Sequence, residues 1–440
     1  MAMASCVQLH LVPAGSCCSE TTGCRGRPAP ALRMICRGGR QRSVTSIEVQ
    51  RKPEALGKNI KSWMCVRAQA QPEGKNVNET EESSESVMKR EGVAALTVGL
   101  VDPEVSTAAI ESVVTAAANS SAVTEEGTTA TNEESCITEE LRSIYATMRE
   151  WKWRGYSIAY TVHGSGPPVL LVHGFGASIG HWRRNIGVLA ESNTVYAIDL
   201  LGLGASDKPF KFLYTMETWA EQLVDFVKEV VGKQTVLVGN SIGSLACLIA
   251  SAEAAPLNLV RGTVLLNCAG GMNNKAVTDD WRLKLALPLL WLIDFLLQQP
   301  SIAGRLFDRV KSKDNLKTVL QSVYSNKEAV DDELVEVILK PAETEGALDA
   351  FVSIITGPPG PKPQTLIPVI ENPILVLWGD EDPFTPIDGP VGKYFRALPE
   401  TNPQVQLFLL ENVGHCPHDD RPDLVHEKLV PWLAQLPALT

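Results

Sequence analysis

The segment GNSIG at positions 239–243 holds a serine between two glycines. An apolar, strand-like run precedes it at 235–238, and an apolar, helix-like run follows it up to position 251. In this context G-x-S-x-G forms a strained turn that projects the serine hydroxyl above a sheet, and the start of the helix stabilises negative charge beside it. Ser241 is therefore predicted to be a nucleophile. A simple tight turn is the other interpretation, so the rest of the chain must supply the catalytic partners.

A nucleophilic serine needs a base, and the order typical of this arrangement is serine, acid, then a histidine late in the chain. His415 lies in a loop after the last predicted strand, 405–410, at the carboxyl end of a strand, where sites in α/β sheets gather. We predict that His415 is the base. His418 is the alternative, because it lies in the same region. A histidine in a surface loop is the non-catalytic interpretation.

The orienting acid is expected after the preceding strand, where the sequence reads WGDEDP at 378–383. An aspartate here would accept the hydrogen of the histidine Nδ1 and stabilise the imidazolium that forms during attack. We predict Asp382 for this role, with Asp380 as the alternative. A solvated acidic loop would have the same composition without the function.

Stabilisation of an oxyanion requires backbone donors. The motif HGFG at 173–176 follows an early predicted strand, and its glycines allow the backbone to approach a ligand. We predict that the N–H groups of Phe175 and Ile242 form the oxyanion hole. His173 is predicted to fix this loop, and Asp199 to shape a turn at the rim of the pocket.

The elements that must position these residues alternate between apolar strands and helices. This pattern predicts an α/β fold with a mostly parallel sheet that is covered by helices on both faces. The alternation stops between about 270 and 370, where the sequence reads as helical throughout and predicts an inserted lid. Strands are predicted at 156–162 (in a hairpin with the preceding segment), 169–172, 195–198, 235–238, 262–266, 374–377 and 405–410, and helices at 215–231, 241–251 and 423–433.

Composition narrows the class of function. The chain has 440 residues, of which 44% are hydrophobic, and a net charge of −11. This negative charge argues against nucleic acid as the main partner. The sequence contains no Walker loop, no GxGxxG cluster and no metal-binding motif, so neither a cofactor nor a metal is expected. It also contains no run of 18 apolar residues, so no membrane span is expected.

The first 140 residues differ from the rest of the chain. Residues 1–70 contain eleven Lys/Arg and three Asp/Glu, and residues 71–140 contain fifteen acids and three bases. The first composition is typical of an organelle transit peptide, with a plastid-like processing site near Ala68. The second is too polar to bury a core. We predict a transit peptide at 1–68, a disordered acidic linker at 69–140, and the folded domain with its lid at 141–440.

The chain resembles the α/β-hydrolase family over about 155–438. The motifs that carry the resemblance are HGFG at 173–176, DLLGLGASDKP at 199–209, GNSIG at 239–243, GDEDP at 379–383 and GHCPHDDRP at 414–422. Longer segments resemble the plant plastid hydrolases that include chlorophyll dephytylase, namely 173–185, 265–277, 346–361 and 414–427. The resemblance does not extend usefully to residues 1–140.

This resemblance implies hydrolysis of the phytyl ester of chlorophyll in chloroplasts, at thylakoids, with Ser241 as nucleophile, Asp382 as orienting acid and His415 as base. The residues by themselves predict the triad but not chlorophyll. The stretch 283–297, LKLALPLLWLIDFLL, is unusually apolar for an insertion. It would line a groove for an isoprenoid chain or touch a bilayer surface, or it would pack the lid against the core.

Two other functions fit the same motifs. Serine elbows of the GNSxG type also occur in hydrolases that cleave a C–C bond in products of aromatic ring cleavage. A non-catalytic receptor that keeps the triad for ligand sensing is the third possibility. The apolar lid segment disfavours the small polar pocket of the C–C hydrolases, and the transit segment disfavours the receptor.

Overall fold

The computed structural model describes residues 137–273 and 296–437. The predicted transit peptide, nearly all of the predicted linker and most of the apolar stretch 283–297 lie outside the described residues. The first described helix begins at Glu139, two residues before the predicted start of the folded domain at 141. Within the described ranges the strands are β1 (Arg149–Trp153), β2 (Tyr156–His163), β3 (Pro168–Val172), β4 (Thr194–Ile198), β5 (Thr235–Asn240), β6 (Val260–Leu266), β7 (Ile374–Gly379) and β8 (Val405–Leu410).

These strands form one sheet in the order β1-β2-β4-β3-β5-β6-β7-β8. The predicted hairpin is confirmed, since β1 and β2 pair antiparallel, as do β2 and β4, while all other neighbours are parallel. The register pairs Val172 with Gly239 and Asn240 with Leu266. The loops that follow β3, β5, β6 and β7 therefore leave the sheet at the same edge.

The central strands are buried on both faces, which explains why their sequences are continuous apolar runs rather than alternating ones. All five residues of β3 are buried. Leu170 and Val172 pack into one hydrophobic cluster, and Val169 and Leu171 pack into another. The predicted α/β architecture, with helices on both faces of a mostly parallel sheet, is confirmed.

The described helices are α1 (Glu139–Ala146), α2 (Ile186–Ala190), α3 (Met216–Phe226), α4 (Ile242–Ala254), α5 (Pro300–Val310), α6 (Lys313–Val323), α7 (Asp332–Ala342), α8 (Ala347–Thr356), α9 (Pro363–Leu366), α10 (Pro390–Thr401), α11 (Pro417–Asp420) and α12 (Pro422–Gln435). Local sequence sets their ends. Helix α3 begins after Thr215, whose hydroxyl accepts a hydrogen bond from the Thr218 N–H. A π-turn, Val227–Val231, continues α3 and ends at Gly232, which has a φ of 66°.

None of the helices in the described ranges combines the length and apolarity that a membrane span requires.

Helices α5 to α9 lie between β6 and β7, so the described part of the predicted insertion is helical. Apolar residues of this insertion form a buried cluster that is separate from the two clusters of the sheet, and its members include Leu316, Leu320, Val330 and Leu334. Cys416, which follows His415, packs into the same cluster. The lid helices therefore contact the segment in which the sequence places the base.

Candidate active site

Ser241 sits in the turn between β5 and α4. Its backbone has φ 54° and ψ −120°, which is a strained conformation for a residue with a side chain. Ser241 is half-buried, whereas every other residue of 235–251 is buried. The turn thus leaves Ser241 partly accessible within an otherwise buried run.

The glycines that flank Ser241 are required by close packing. A Cβ at Gly239 would lie 2.5 Å from the carbonyl carbon of Gly243, nearer than real contacts allow. A Cβ at Gly243 would lie 2.5 Å from Val172 O and overlap His173 O. Because these obstacles are backbone atoms that cannot move aside, only glycine fits at either position.

The HGFG loop after β3 packs directly against the elbow. A Cβ at Gly174 would lie 3.3 Å from Ser241 Cβ. Among the described residues the N–H groups of Phe175 and Ile242 have no acceptor. One of these donors follows Ser241 directly, and the other belongs to the loop that packs against the turn.

His173 fixes this loop, as predicted. Its Nδ1 donates to Gly174 O over 2.8 Å, and its Nε2 accepts from Leu200 N over 3.1 Å. Because Nε2 accepts this bond it carries no proton, so the 3.7 Å separation from Asp199 Oδ1 is not an ion pair. Burial lowers the pKa of His173. Asp199 accepts from the N–H groups of Ile179 and Ala205, each over 2.7 Å, and so closes the turn at the rim.

The loops after β7 and β8 bring Asp382 and His415 together. His415 Nδ1 lies 2.8 Å from Asp382 Oδ2, and both residues are buried. The other Asp382 oxygen, Oδ1, accepts from the N–H groups of Phe384 over 2.7 Å and Thr385 over 3.1 Å. The carboxylate is therefore held in one orientation toward the imidazole.

Two side chains complete the surroundings of Asp382. Asn267 Nδ2 donates to Oδ2 over 2.6 Å, and Thr385 Oγ1 donates to Oδ2 over 2.5 Å. Burial acts to raise the pKa of Asp382, but the charge and hydrogen bond of His415, with these two donors, lower it to about 2. Asp382 is thus ionised at neutral pH.

Neither alternative residue reaches this pair. Asp380 is exposed, and its Oδ1 accepts from Val413 N over 3.3 Å. His418 is fully buried, and its ring lies 4.2 Å from that of Trp182. The structure places His418 in a separate polar cluster rather than beside Asp382.

That cluster has a defined chain of hydrogen bonds. Tyr324 Oη donates to Asp419 Oδ2 over 3.1 Å, so it must accept from His181 Nε2, which is 2.7 Å away. His181 Nδ1 is then the acceptor for His418 Nε2 at 3.3 Å. Burial is the main cause that lowers the pKa of His181 to about 4 and that of His418 well below its usual range. Asp419 is in turn held by Arg183 Nε over 3.0 Å.

Sequence reasoning missed two residues of the site. Asn267 stands directly after β6 with a φ of 45°, and Asn240 stands directly before Ser241. Asn240 Nδ2 donates to His415 O over 3.0 Å. A polar residue at the carboxyl end of a buried strand was the available signal for both.

Aromatic side chains line the path from the HGFG loop to the lid. The ring of Phe175 lies 5.7 Å from that of Phe351 on α8, and the latter lies 5.1 Å from Phe307 on α5. Phe175 remains 40% exposed. Phe175 therefore presents an apolar surface that continues into the lid.

The chain belongs to the alpha/beta hydrolase family, whose model matches residues 169–428. The family and its hydrolase-named relatives support hydrolase activity. In the part of the chain that the structure describes, no group of three His, Cys, Asp or Glu is placed to hold a metal ion.

The relatives fall into several functional groups. An uncharacterized hydrolase of Bacillus subtilis, YugF, is 25% identical over 60% of this chain and 89% of its own length. The chloroplastic pheophytinase of Arabidopsis thaliana is 26% identical over 65% of this chain and 66% of its own length. The 2-hydroxy-6-oxo-2,4-heptadienoate hydrolase of Pseudomonas putida is 27% identical over 58% of this chain and 83% of its own length.

Solved structures agree on the fold. The serine hydrolase CarC, involved in carbazole degradation, is similar with a TM-score of 0.51 and 22% identity, covering 65% of this chain and 98% of its own. The epoxide hydrolase CorEH is similar with a TM-score of 0.53 and 22% identity, and the match covers 66% of this chain and 98% of its own. At this level of identity the likeness establishes the fold and not the substrate.

Proposed function

We propose that the protein is a serine carboxylester hydrolase in which Ser241 is the nucleophile, His415 the base and Asp382 the orienting acid. The observation that carries this proposal is the buried His415–Asp382 hydrogen bond at the edge of the sheet where the strained turn presents Ser241. The unpaired N–H groups of Phe175 and Ile242 support the role of oxyanion donors for these two residues.

The proposed reaction proceeds in two halves. His415 takes the proton of the Ser241 hydroxyl, and Oγ attacks the ester carbonyl. The two backbone donors stabilise the oxyanion, and the imidazolium, stabilised by Asp382, protonates the departing alcohol. Water, activated by the same histidine, then releases the acid and restores Ser241.

For the substrate we propose the phytyl ester of chlorophyll or a related pigment, cleaved to chlorophyllide and phytol. The pheophytinase relative supports this choice, as does the apolar surface formed by Phe175, Phe351 and Phe307. A long isoprenoid alcohol gains binding energy by burying its chain on such a surface. No cofactor takes part in the proposed chemistry.

The test is product analysis with purified full-length protein in detergent. Chlorophyll a, chlorophyll b and pheophytin are supplied separately, beside a short p-nitrophenyl ester and a ring-cleavage dienone. The wild type should release phytol, and Ser241→Ala should not. Pigment hydrolysis by folded Ser241→Ala would exclude the mechanism. Turnover of the dienone alone would instead favour C–C bond cleavage, the reaction class suggested by the Pseudomonas putida relative.

We also propose that residues 1–68 direct the protein to the chloroplast, that 69–140 form an acidic linker, and that the lid contacts the thylakoid surface. In support of membrane contact, Phe210 and Leu213 are 68% and 63% exposed in a loop at the same edge of the sheet. This loop is tied to the lid, because Ser353 Oγ on α8 donates to Phe212 O over 2.8 Å. Flotation of the protein with galactolipid vesicles tests this contact.

A further inference from the structure

Asp420 is a buried carboxylate, 1% exposed, that forms no salt bridge among the described residues, since the adjacent Arg421 pairs with Asp423. Its oxygens accept three backbone hydrogen bonds. Oδ2 accepts from Gly414 N over 2.6 Å and from Ser325 N over 3.0 Å, and Oδ1 accepts from Asn326 N over 2.8 Å. Burial raises the pKa of Asp420, and the three N–H groups act against this by stabilising the charged form. The carboxylate therefore depends on these three donors rather than on a salt bridge.

The three donors belong to two different parts of the fold. Gly414 directly precedes the proposed base, whereas Ser325 and Asn326 follow lid helix α6. A second bond joins the same two parts, because His415 N donates to Val323 O over 3.0 Å. The backbone of the proposed base is therefore bonded to the lid directly and, one residue earlier, through the Asp420 carboxylate.

The backbone at Gly414 touches the lid segment 323–326 without an intervening side chain. A Cβ at Gly414 would lie 2.9 Å from Ser325 N and 3.0 Å from Tyr324 Cα. The loop that carries the proposed acid, Asp382, also contacts this lid segment, since Ser325 Oγ donates to Glu381 Oε2 over 2.5 Å. The lid segment 323–326 is thus in contact with the loops of both the proposed base and the proposed acid.

We propose that Asp420 is a positioning residue for the hydrolysis. Its carboxylate holds the backbone at Gly414 against lid segment 323–326, and this contact fixes where the His415 imidazole stands relative to Asp382. The proposal rests on the proposed function. Asp420 acts through His415 and does not touch the substrate.

The first test replaces the carboxylate by an amide. Asp420→Asn keeps the volume but leaves one oxygen for three N–H donors and turns an NH₂ group toward a donor. The measurement is kcat on a short soluble ester, divided by the number of active sites that the acylation burst titrates. We expect this kcat per site to fall about tenfold or more and KM to change less than about twofold. A structural defect alone would lower the number of titrated sites and leave kcat per site unchanged. Asp380→Asn is the matched control, because Asp380 is exposed and, among the described residues, its side chain accepts one hydrogen bond, from Val413 N.

A second pair of variants probes the lid side of the contact and leaves Asp420 intact. Asn326 has a φ of −77°, which proline can adopt. Asn326→Pro removes the N–H that donates to Asp420, and Asn326→Ala keeps it. We expect kcat per site to fall in Asn326→Pro and to stay at the wild-type value in Asn326→Ala. If Asp420→Asn does not fold, this pair decides the question.

The possible failures are distinguishable. Wild-type kcat per site in folded Asp420→Asn, or equal kcat in the two Asn326 variants, would overturn the positioning role and leave the proposed function standing. A wild type that hydrolyses no ester under the same conditions would reject the proposed function, and the positioning role with it.

Discussion

The side chain of Asn240 joins the Ser241 turn to the loop of the proposed base: Asn240 Nδ2 lies 3.0 Å from His415 O and 3.3 Å from Leu266 O. Asn240 is the last residue of β5, and Ser241 follows it in the strained conformation. One buried amide therefore sets the spacing between two chain segments that lie far apart in sequence.

Asn240→Ala should lower kcat for ester hydrolysis by about tenfold, because His415 O loses the Asn240 donor and the His415 loop loses its tie to the turn. Leu266 O keeps the bonds from Ser241 N and Ser244 Oγ. Enzyme kinetics with a p-nitrophenyl ester checks this. Asn372→Ala is the control, since Asn372 Nδ2 donates to Thr263 Oγ1 over 2.8 Å at the opposite edge of the sheet. Equal kcat in both variants would contradict a role for Asn240 in aligning the site.

Asp382→Asn should reduce kcat by about a thousandfold or more, since an amide cannot accept from His415 Nδ1 and stabilise the imidazolium in the same way. Asp380→Asn should stay within about twofold of the wild type, because Asp380 is exposed and its side chain bonds to a single loop N–H in the described part of the chain. Steady-state kinetics on both proteins discriminates the two aspartates. The reverse result would assign the orienting role to Asp380.

The stability contributed by Asp382 has a definite pH window. Its folded pKa is lowered to about 2. The contribution is therefore fully present above the unfolded pKa of about 3.9 and is lost as the pH falls from there toward 2. Urea titrations at acidic pH should show a smaller loss of unfolding free energy in Asp382→Asn than in the wild type. Parallel losses in the two proteins would contradict the low pKa.

Phe351→Ala should raise KM for a long-chain ester several-fold and leave KM for an acetate ester nearly unchanged. The variant removes the middle ring of the contacts among Phe175, Phe351 and Phe307, and with it apolar contact surface worth about 1 kcal/mol, or about fivefold in KM. Competition between the two esters measures the change in preference. Phe408→Ala is the control, because Phe408 is exposed on edge strand β8. Identical preference in wild type and Phe351→Ala would exclude the aromatic surface as a binding site.

The buried histidine cluster predicts acid sensitivity. The pKa of His181 falls from 6.5 to about 4 on folding, so the unfolded chain binds more protons between these values. The contribution of this residue to stability is present above about pH 6.5 and declines as the pH falls toward 4. Between pH 7.5 and pH 5, wild type should lose about 2 kcal/mol more unfolding free energy than His181→Gln, in which the amide replaces both hydrogen bonds. Chemical denaturation at the two pH values measures this, and equal losses would show that His181 is not a buried neutral group.

The sequence predicted the elements and the strained turn because these depend on neighbouring residues. Continuous apolar strands, glycines beside Ser241 and the helix after it follow from local burial and backbone freedom. The structure confirmed the α/β sheet, the hairpin and the helical character of the insertion in its described part. It also placed His173 in the predicted loop-fixing role, with both ring nitrogens bonded to that loop and its neighbour.

Local pattern was unable to separate Asp382 from Asp380, or His415 from His418, because each pair shares one loop region and one chemistry. Tertiary structure makes the distinction, since β7 and β8 run side by side and their following loops bring Asp382 Oδ2 within 2.8 Å of His415 Nδ1. The roles of Asn240, Asn267 and Asp420 depend on contacts between segments distant in sequence. A side-chain amide or carboxylate acquires such a role only when folding sets a donor or acceptor within hydrogen-bond distance. The residue types were therefore determined by the sequence, and their partners by the packing of the sheet edge against the lid.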